Sequence, residues 1–292
     1  MGGMFGESKF DVLQKIPSRY VPGTVRVRVN STVDDVMKVI EMEGFTFPLI
    51  FKPDLGERGF MVERINNETE IAAYLSRIKN DFLIQELVSL PLEFGVFYTW
   101  FPNTGNGKVT SVVMKEMLTV TGDGKSSLQE LILRLDRAKL QWPILQRKFQ
   151  KRLQEIPEQG KKVELVSIGN HCLGTKFLDA NYLINDRLSM TFDRISKQIP
   201  GFYFGRFDLR CGSLEDLYEG NIKIMELNGC GAEPAHIYHP GYSLRKGVAV
   251  LLEHWRNIFI IARENKKRGT PYISLKEALQ HYKKFKAATS AV

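Results

Sequence analysis

The chain has 292 residues, of which 43% are hydrophobic and 25% charged, so we expect a packed core in one large domain or two smaller ones. No apolar run is long enough to span a bilayer and the N-terminus lacks the order of a signal peptide, which predicts a cytoplasmic protein with no membrane partner. Much of the net charge of +8 lies in two short basic runs, at 266–268 and 283–286. Such runs are typical of solvated helix faces, so we expect no nucleic-acid partner.

Residues 26–92, which follow an N-terminal segment and linker at 1–25, have the pattern of a small α+β lobe. A helix is expected from Thr32, at capping-box spacing from Asp35, to the residue before Gly44. Apolar runs predict strands at 47–52, 60–65 and 82–88, with a turn at 54–59 and a helix at 68–78.

The pattern of residues 93–268 predicts a larger lobe. The basic residues 269–292 are expected to form a final helix. A glycine-rich turn joins strands expected at 94–100 and 109–118, and further strands are expected at 163–168, 202–210 and 222–227. Helices are expected from 128, at 144–153, at 186–198 and at 244–264. In the helix expected at 244–264, the apolar residues at helical spacing are expected to pack inward: Val248, Leu251, Leu252, Trp255, Ile258 and Ile261.

Oxygen-bearing side chains are concentrated on the strands at 202–210 and 222–227. Two adjacent strands would bring Asp208, Glu226 and Asn228 together. Two carboxylates and an amide oxygen suit a hard cation such as Mg²⁺, which takes its remaining ligands from water and phosphates. The sequence therefore predicts a metal site for a nucleotide triphosphate, although an isolated match of this kind is more often an edge-strand Asp and a Glu on a solvated face.

A lysine and a glycine loop follow the strand at 47–52. Lys52 ends this strand and could reach phosphate oxygens, while the loop from Gly56 to Gly59 could fold its N–H groups over them. Downstream, the backbone of Gln85, Glu86, Leu87 and Val88 could pair with an adenine edge. Glu93, a few residues further on, could bind ribose hydroxyls or simply open the next strand.

The order of these motifs resembles the ATP-grasp superfamily, most closely its carboxylate-amine ligases, typified by D-alanine-D-alanine ligase. Residues 120–131 also resemble a stretch of cyanophycin synthetase-like amino-acid ligases, and residues 169–175 stand where those enzymes carry a further motif, with a departure at His171. The motifs that carry the main resemblance are Phe47–Pro53, Gly56–Gly59, Leu83–Val88 with Glu93, Arg206–Asp208 and Glu226–Asn228.

This resemblance implies an ATP-grasp fold, with ATP held between the antiparallel sheets of two α+β lobes. It assigns ATP phosphates to Lys52, the adenine hinge to residues 85–88, ribose to Glu93 and the Mg²⁺ or Mn²⁺ ions to residues 208, 226 and 228. Arg206 would stabilise the charged intermediate. The Rossmann-like domain that usually precedes these lobes is expected to be missing.

The implied reaction is an ATP-dependent joining of a small carboxylate to an amine, through an acylphosphate. A kinase of the same fold and a non-catalytic ATP-binding module stay open as alternatives. Two side chains keep open roles: Lys115 could reach a phosphate or be an ordinary strand residue, and His171 could orient a substrate or be structural.

Overall fold

The computed structural model describes residues 2–4, 6–56, 59–166, 169 and 174–289. The chain divides into two compact units. Met1–Met114 and Asp179–Val292 form the first unit, and Lys115–Leu178 form the second.

The chain mixes strands and helices throughout both units. The strands are β1 Thr24–Val27, β2 Leu49–Pro53, β3 Glu63–Ile65, β4 Phe82–Glu86, β5 Leu92–Thr99, β6 Lys108–Glu116, β7 Thr119–Thr121, β8 Lys162–Glu164, β9 Lys176–Asp179, β10 Phe204–Cys211 and β11 Ile222–Asn228. The helices are α1 Lys9–Leu13, α2 Val33–Met42, α3 Glu68–Leu75, α4 Leu128–Arg134, α5 Asp136–Lys139, α6 Trp142–Lys148, α7 Asp186–Ser196, α8 Leu214–Glu219, α9 Leu244–Lys267 and α10 Leu275–Thr289.

The first sheet of the first unit has the strand order β1-β4-β2-β3 and is antiparallel. Phe51 of β2 and Phe82 of β4 pack against Tyr74 of α3, with ring centroids 5.3 to 5.6 Å apart. Helix α2 begins at the predicted capping box, in which Thr32 and Asp35 exchange hydrogen bonds. It ends before Gly44, whose φ of 68° lies in the left-handed region that glycine tolerates best.

The second sheet has the order β11-β10-β5-β6-β9. Strand β10 is antiparallel to both of its neighbours, β5 and β11, and β5 is antiparallel to β6. One face of this sheet is apolar and packs on α7, where the rings of Phe192 and Phe207 lie 5.4 Å apart. Because side chains alternate along a strand, the opposite face carries Arg206, Asp208 and Arg210. The predicted α+β class with antiparallel sheets is confirmed.

The second unit has a core of its own. It pairs β7 with β8 in antiparallel orientation, and its core includes Leu128 and Ile132 of α4, Ala138 of α5 and Leu145 of α6. Ser127 caps α4 in a capping box with Glu130, and the helix begins at Leu128, as expected. The strand expected at 163–168 is shorter than predicted, since β8 ends at residue 164.

In helix α9, the buried face differs in part from the predicted one. The predicted face is partly wrong, because Val248, Leu252 and Trp255 are 49%, 68% and 50% exposed. Ile261 is buried as predicted, but the other buried positions include His254, whose ring lies 4.8 Å from that of Phe204. The buried face of α9 contains a histidine and a glycine, whereas the adjacent exposed face is more apolar, so hydropathy alone placed part of the predicted face on the exposed side. Within the described residues, no helix is both long and apolar enough to cross a membrane.

Candidate functional site

The pairing of β10 with β11 brings the predicted metal ligands onto one face. Asp208 lies opposite Glu226, and Arg206 lies opposite Asn228. Directly opposed residues of antiparallel strands share a face, as do residues two apart on one strand. The sheet therefore gathers these four side chains, as the alternation along each strand predicts.

The carboxylate of Asp208 is already held by its neighbours. Arg206 donates to both of its oxygens, at 2.9 Å to Oδ1 and 3.1 Å to Oδ2, and Asn228 donates to Oδ2 at 3.2 Å. Arg206 also donates to the Glu233 carbonyl at 3.2 Å. Burial opposes the charge on Arg206, but the Asp208 and Glu226 carboxylates favour it, and the pKa of Arg206 is raised overall. This guanidinium is therefore a fixed positive charge beside the predicted ligands.

Lys52 connects the two sheets of the first unit. Its side chain is buried, and its ammonium donates at 3.0 Å to Gln85 Oε1 on β4 and at 3.0 Å to the Met225 carbonyl on β11. Burial lowers the pKa of Lys52 to about 8, and the nearby Glu226 carboxylate partly opposes this effect. The Lys52 ammonium, at the end of β2 in the first sheet, thus lies beside β11 of the second sheet, which carries Glu226.

The predicted hinge residues have well-defined partners. Gln85 is buried and donates to Thr24 Oγ1 at 2.9 Å, and the exposed Glu86 accepts from the Gly23 N–H at 2.6 Å. Leu87 and Val88 are half-buried. The backbone of residues 85 and 86 is also engaged, because β4 pairs with β1 on one side and β2 on the other and the Glu86 N–H donates to the Gly23 carbonyl at 2.9 Å. The adenine hinge therefore stays a prediction.

Glu93 lies in an ion pair. Its Oε2 accepts from Arg210 Nε at 2.8 Å, across the β5–β10 pairing that places the two residues opposite each other. The same guanidinium donates to the Val88 carbonyl at 3.0 Å. The sequence reasoning missed this partner, although alternation along β10 puts Arg210 on the same face as Arg206 and Asp208.

The glycine loop is only partly described. Gly56 and Gly59 have φ values of 152° and 72°, which glycine adopts easily. The Gly56 carbonyl accepts from the Lys9 ammonium. Residues 57 and 58 lie outside the described residues, as does His171. The predicted cover over phosphates therefore stays a prediction.

Lys115 belongs to the second unit. There its ammonium lies 5.7 Å from the centroid of the Phe177 ring. Its role as a phosphate ligand stays a prediction.

Sequence reasoning also missed two other features of this face. Gly95 on β5 lies opposite Asp208, and a Cβ there would meet Asp208 Oδ1 and Arg206 Cδ, both at 3.1 Å. On β6, the buried Ser111 Oγ lies 2.7 Å from Nδ1 of the buried His236, whose pKa burial lowers. No local pattern marks His236, whereas a glycine inside an apolar strand does signal a close approach.

The predicted metal residues suit a hard cation by donor type. No group of three or more His, Cys, Asp or Glu side chains is placed to hold a metal ion among residues 2–4, 6–56, 59–166, 169 and 174–289. The set here has two carboxylates, with Asn228 supplying an amide. A carboxylate has about four lone-pair sites, so Asp208 can accept its three hydrogen bonds from Arg206 and Asn228 and still bind a cation. Such a set fits Mg²⁺ when phosphates complete its shell.

Comparison with known proteins shows that the chain is similar to several solved structures. No protein-family model and no curated protein matches the chain. A bifunctional glutathione synthetase from Pasteurella multocida shares 17% identity over 75% of this chain and 31% of its own, with a TM-score of 0.36. The VanG D-Ala:D-Ser ligase from Enterococcus faecalis shares 14% over 84% of this chain and 57% of its own, with a TM-score of 0.48.

A D-alanine–D-alanine ligase from Bacillus anthracis shares 11% identity over 90% of this chain, with a TM-score of 0.48. The chain spans 69% of the length of that ligase, but less than a third of the glutathione synthetase.

Proposed function

We propose that this chain is an ATP-grasp enzyme that uses ATP and Mg²⁺ to join a small, amino-acid-like carboxylate to an amine. The observation that carries the proposal is the 3.0 Å hydrogen bond from Lys52 to the Met225 carbonyl, next to Glu226. A lysine from one antiparallel sheet and carboxylates from another meet there, which is the charge arrangement that a metal–triphosphate complex requires.

The nucleotide would contact the first unit in three places. Lys52 would bind phosphate oxygens, with the loop from Gly56 to Gly59 over them. The backbone of residues 85–88 would pair with adenine, and Glu93 would accept from the ribose hydroxyls. The metal, Mg²⁺ or Mn²⁺, would be held by Asp208, Glu226 and Asn228, and it would neutralise charge on the transferred phosphoryl group.

The proposed reaction has two steps. A carboxylate oxygen of the acid attacks the γ-phosphorus, the bond to the β–γ bridging oxygen breaks, and ADP leaves. The amine nitrogen then attacks the acyl carbon of the acylphosphate, phosphate departs with the C–O electron pair, and the amine loses a proton. Lys52 and Arg206 would stabilise the negative charge and hold the groups in line, and no side-chain nucleophile is needed.

A thermal-unfolding experiment tests the nucleotide site. At about a hundred times its dissociation constant, Mg-ATP should stabilise the folded chain by about 2.7 kcal/mol. We expect the shift to require Mg²⁺ and to disappear in Lys52→Ala. Lys38→Ala, which changes an exposed lysine on α2, is the matched control and should keep the shift. A wild-type chain whose unfolding temperature ignores Mg-ATP would contradict the proposal.

Product analysis then separates the three possible activities. A ligase releases ADP and inorganic phosphate only when acid and amine are both present, whereas a kinase leaves the phosphate on its product. A nucleotide-binding module without catalysis would give the thermal shift and no ADP with any pair of substrates.

A further inference from the structure

One arginine joins the two parts of the proposed nucleotide site that would hold the base and the sugar. Arg210 lies on β10 opposite Glu93 of β5, and their side chains are 18% and 5% exposed. The ion pair is short, at 2.8 Å between Nε and Oε2.

The same guanidinium reaches a second acceptor. Its other arm donates to the Val88 carbonyl at 3.0 Å, in the segment between β4 and β5. Guanidinium N–H groups lie in one plane at fixed angles, so two acceptors bonded to one arginine are fixed relative to each other. Val88 and Glu93 are thereby fixed to each other and to β10.

We propose that Arg210 is a positioning residue that sets how the nucleotide site recognises ribose. It holds the Glu93 carboxylate at a defined position relative to the hinge carbonyl, so that the ribose hydroxyls meet the carboxylate when the base occupies the hinge. This inference rests on the proposed function, because it takes ATP to bind at this edge of the sheet.

The alternative is a purely structural ion pair. Loss of a structural pair would weaken the binding of every adenine nucleotide alike, or would lower only the stability of the chain. Loss of a positioning residue would selectively remove the part of the affinity that depends on the ribose hydroxyls. The ratio of affinities for ATP and 2′,3′-dideoxy-ATP distinguishes these two cases.

The experiment is calorimetric titration of both nucleotides, with Mg²⁺, into the wild-type chain, Arg210→Met and Arg210→Lys. Hydrogen bonds to a charged group contribute about 1.5 to 3 kcal/mol, so the wild-type chain should bind ATP at least about tenfold more tightly than the dideoxy analogue. Arg210→Met should reduce this preference to about twofold or less.

Two further variants complete the set. Arg210→Lys keeps the positive charge, so it can be tested in place of Arg210→Met if that variant fails to fold. An ammonium lacks the planar fork, so this variant should have an intermediate preference. Arg187→Met is the matched control, since it breaks an arginine–carboxylate pair with Glu215 elsewhere in the unit, and it should keep the full preference.

An unchanged preference in folded Arg210→Met or Arg210→Lys would overturn the inference and leave the proposed function standing. So would equal affinity of the wild-type chain for the two nucleotides. A wild-type chain that binds neither nucleotide would overturn the proposed function and, with it, the role of Arg210.

Discussion

At the scale of single residues, the site is defined by charges that the fold keeps close together in buried positions. Lys52 and Asp208 are 6% exposed each, and both are hydrogen-bonded within the first unit. A buried charge is costly unless it is paired, so each of these residues has a measurable signature in pH dependence or in stability.

The affinity for ATP should depend on the protonation of Lys52. Burial lowers the pKa of Lys52 to about 8, and only the protonated form attracts phosphates. In titrations at constant salt, the association constant for ATP should be level below pH 8 and fall about tenfold per pH unit well above it. Lys52→Arg stays charged over this range, so its affinity should stay level. A level wild-type profile would contradict the assignment.

The same shift has a consequence for stability. The pKa of Lys52 is lower in the folded chain than the ordinary 10.5, so the unfolded chain binds more protons between about pH 8 and 10.5. The contribution of Lys52 to the free energy of unfolding therefore rises with pH across this interval.

Two conservative changes at the proposed metal ligands should behave differently. Glu226→Gln leaves the Arg206–Asp208 pair intact, so we expect a loss of Mg-ATP turnover of about a hundredfold or more with little change in unfolding temperature. Asp208→Asn leaves the partly buried Arg206 with a neutral partner and should also cost about 3 kcal/mol of stability.

Both variants are measured by ADP release and by thermal unfolding. Glu41→Gln, an exposed change on α2, is the control. Undiminished turnover in Glu226→Gln would remove that residue from the metal site.

At the scale of elements, β5 leaves room for the charged side chains of Arg206 and Asp208 on the neighbouring strand β10. Gly95 has no side chain, and a Cβ there would lie 2.8 Å from Val113 Cγ1 as well as 3.1 Å from Asp208 Oδ1. A strand glycine normally weakens a sheet, so its presence beside the Arg206–Asp208 pair has a steric explanation.

We expect Gly95→Ala to fold and yet to bind Mg-ATP about tenfold more weakly, because the added methyl group displaces the Asp208 carboxylate. Isothermal titration measures this affinity. Gly105→Ala, in the turn before β6, meets no atom within 4 Å and serves as the control. Equal affinities in the two variants would show that β5 tolerates the methyl group without moving Asp208.

At the scale of the whole molecule, the first unit brings together residues that are far apart in sequence. Lys52 and Met225, joined by one hydrogen bond, are 173 positions apart. Their sheets have separate hydrophobic cores, so neither sheet depends on the other for its packing.

Mg-ATP should therefore protect both sheets at once. Hydrogen exchange measured by mass spectrometry should slow in β2 and β4 and also in β10 and β11, because the nucleotide would contact both. Lys52→Ala should abolish the protection in both sheets. Protection limited to one of them would contradict a nucleotide held between the two.

The local features of this fold follow from short stretches of the sequence. Capping boxes at Thr32 and Ser127 fixed helix starts, and the alternation along residues 204–211 put Arg206 and Asp208 on one face. These features depend on neighbours within four residues, so their physical causes are visible in the sequence.

The pairing of distant groups, by contrast, depends on how the strands and helices pack together. It paired Arg210 with Glu93, joined Lys52 to β11 and buried the His254 side of α9 instead of the side of Leu252. Each outcome depends on strand register or helix packing between segments far apart in the chain. Several partners of suitable charge or hydropathy exist along the sequence, and only the fold selects one of them.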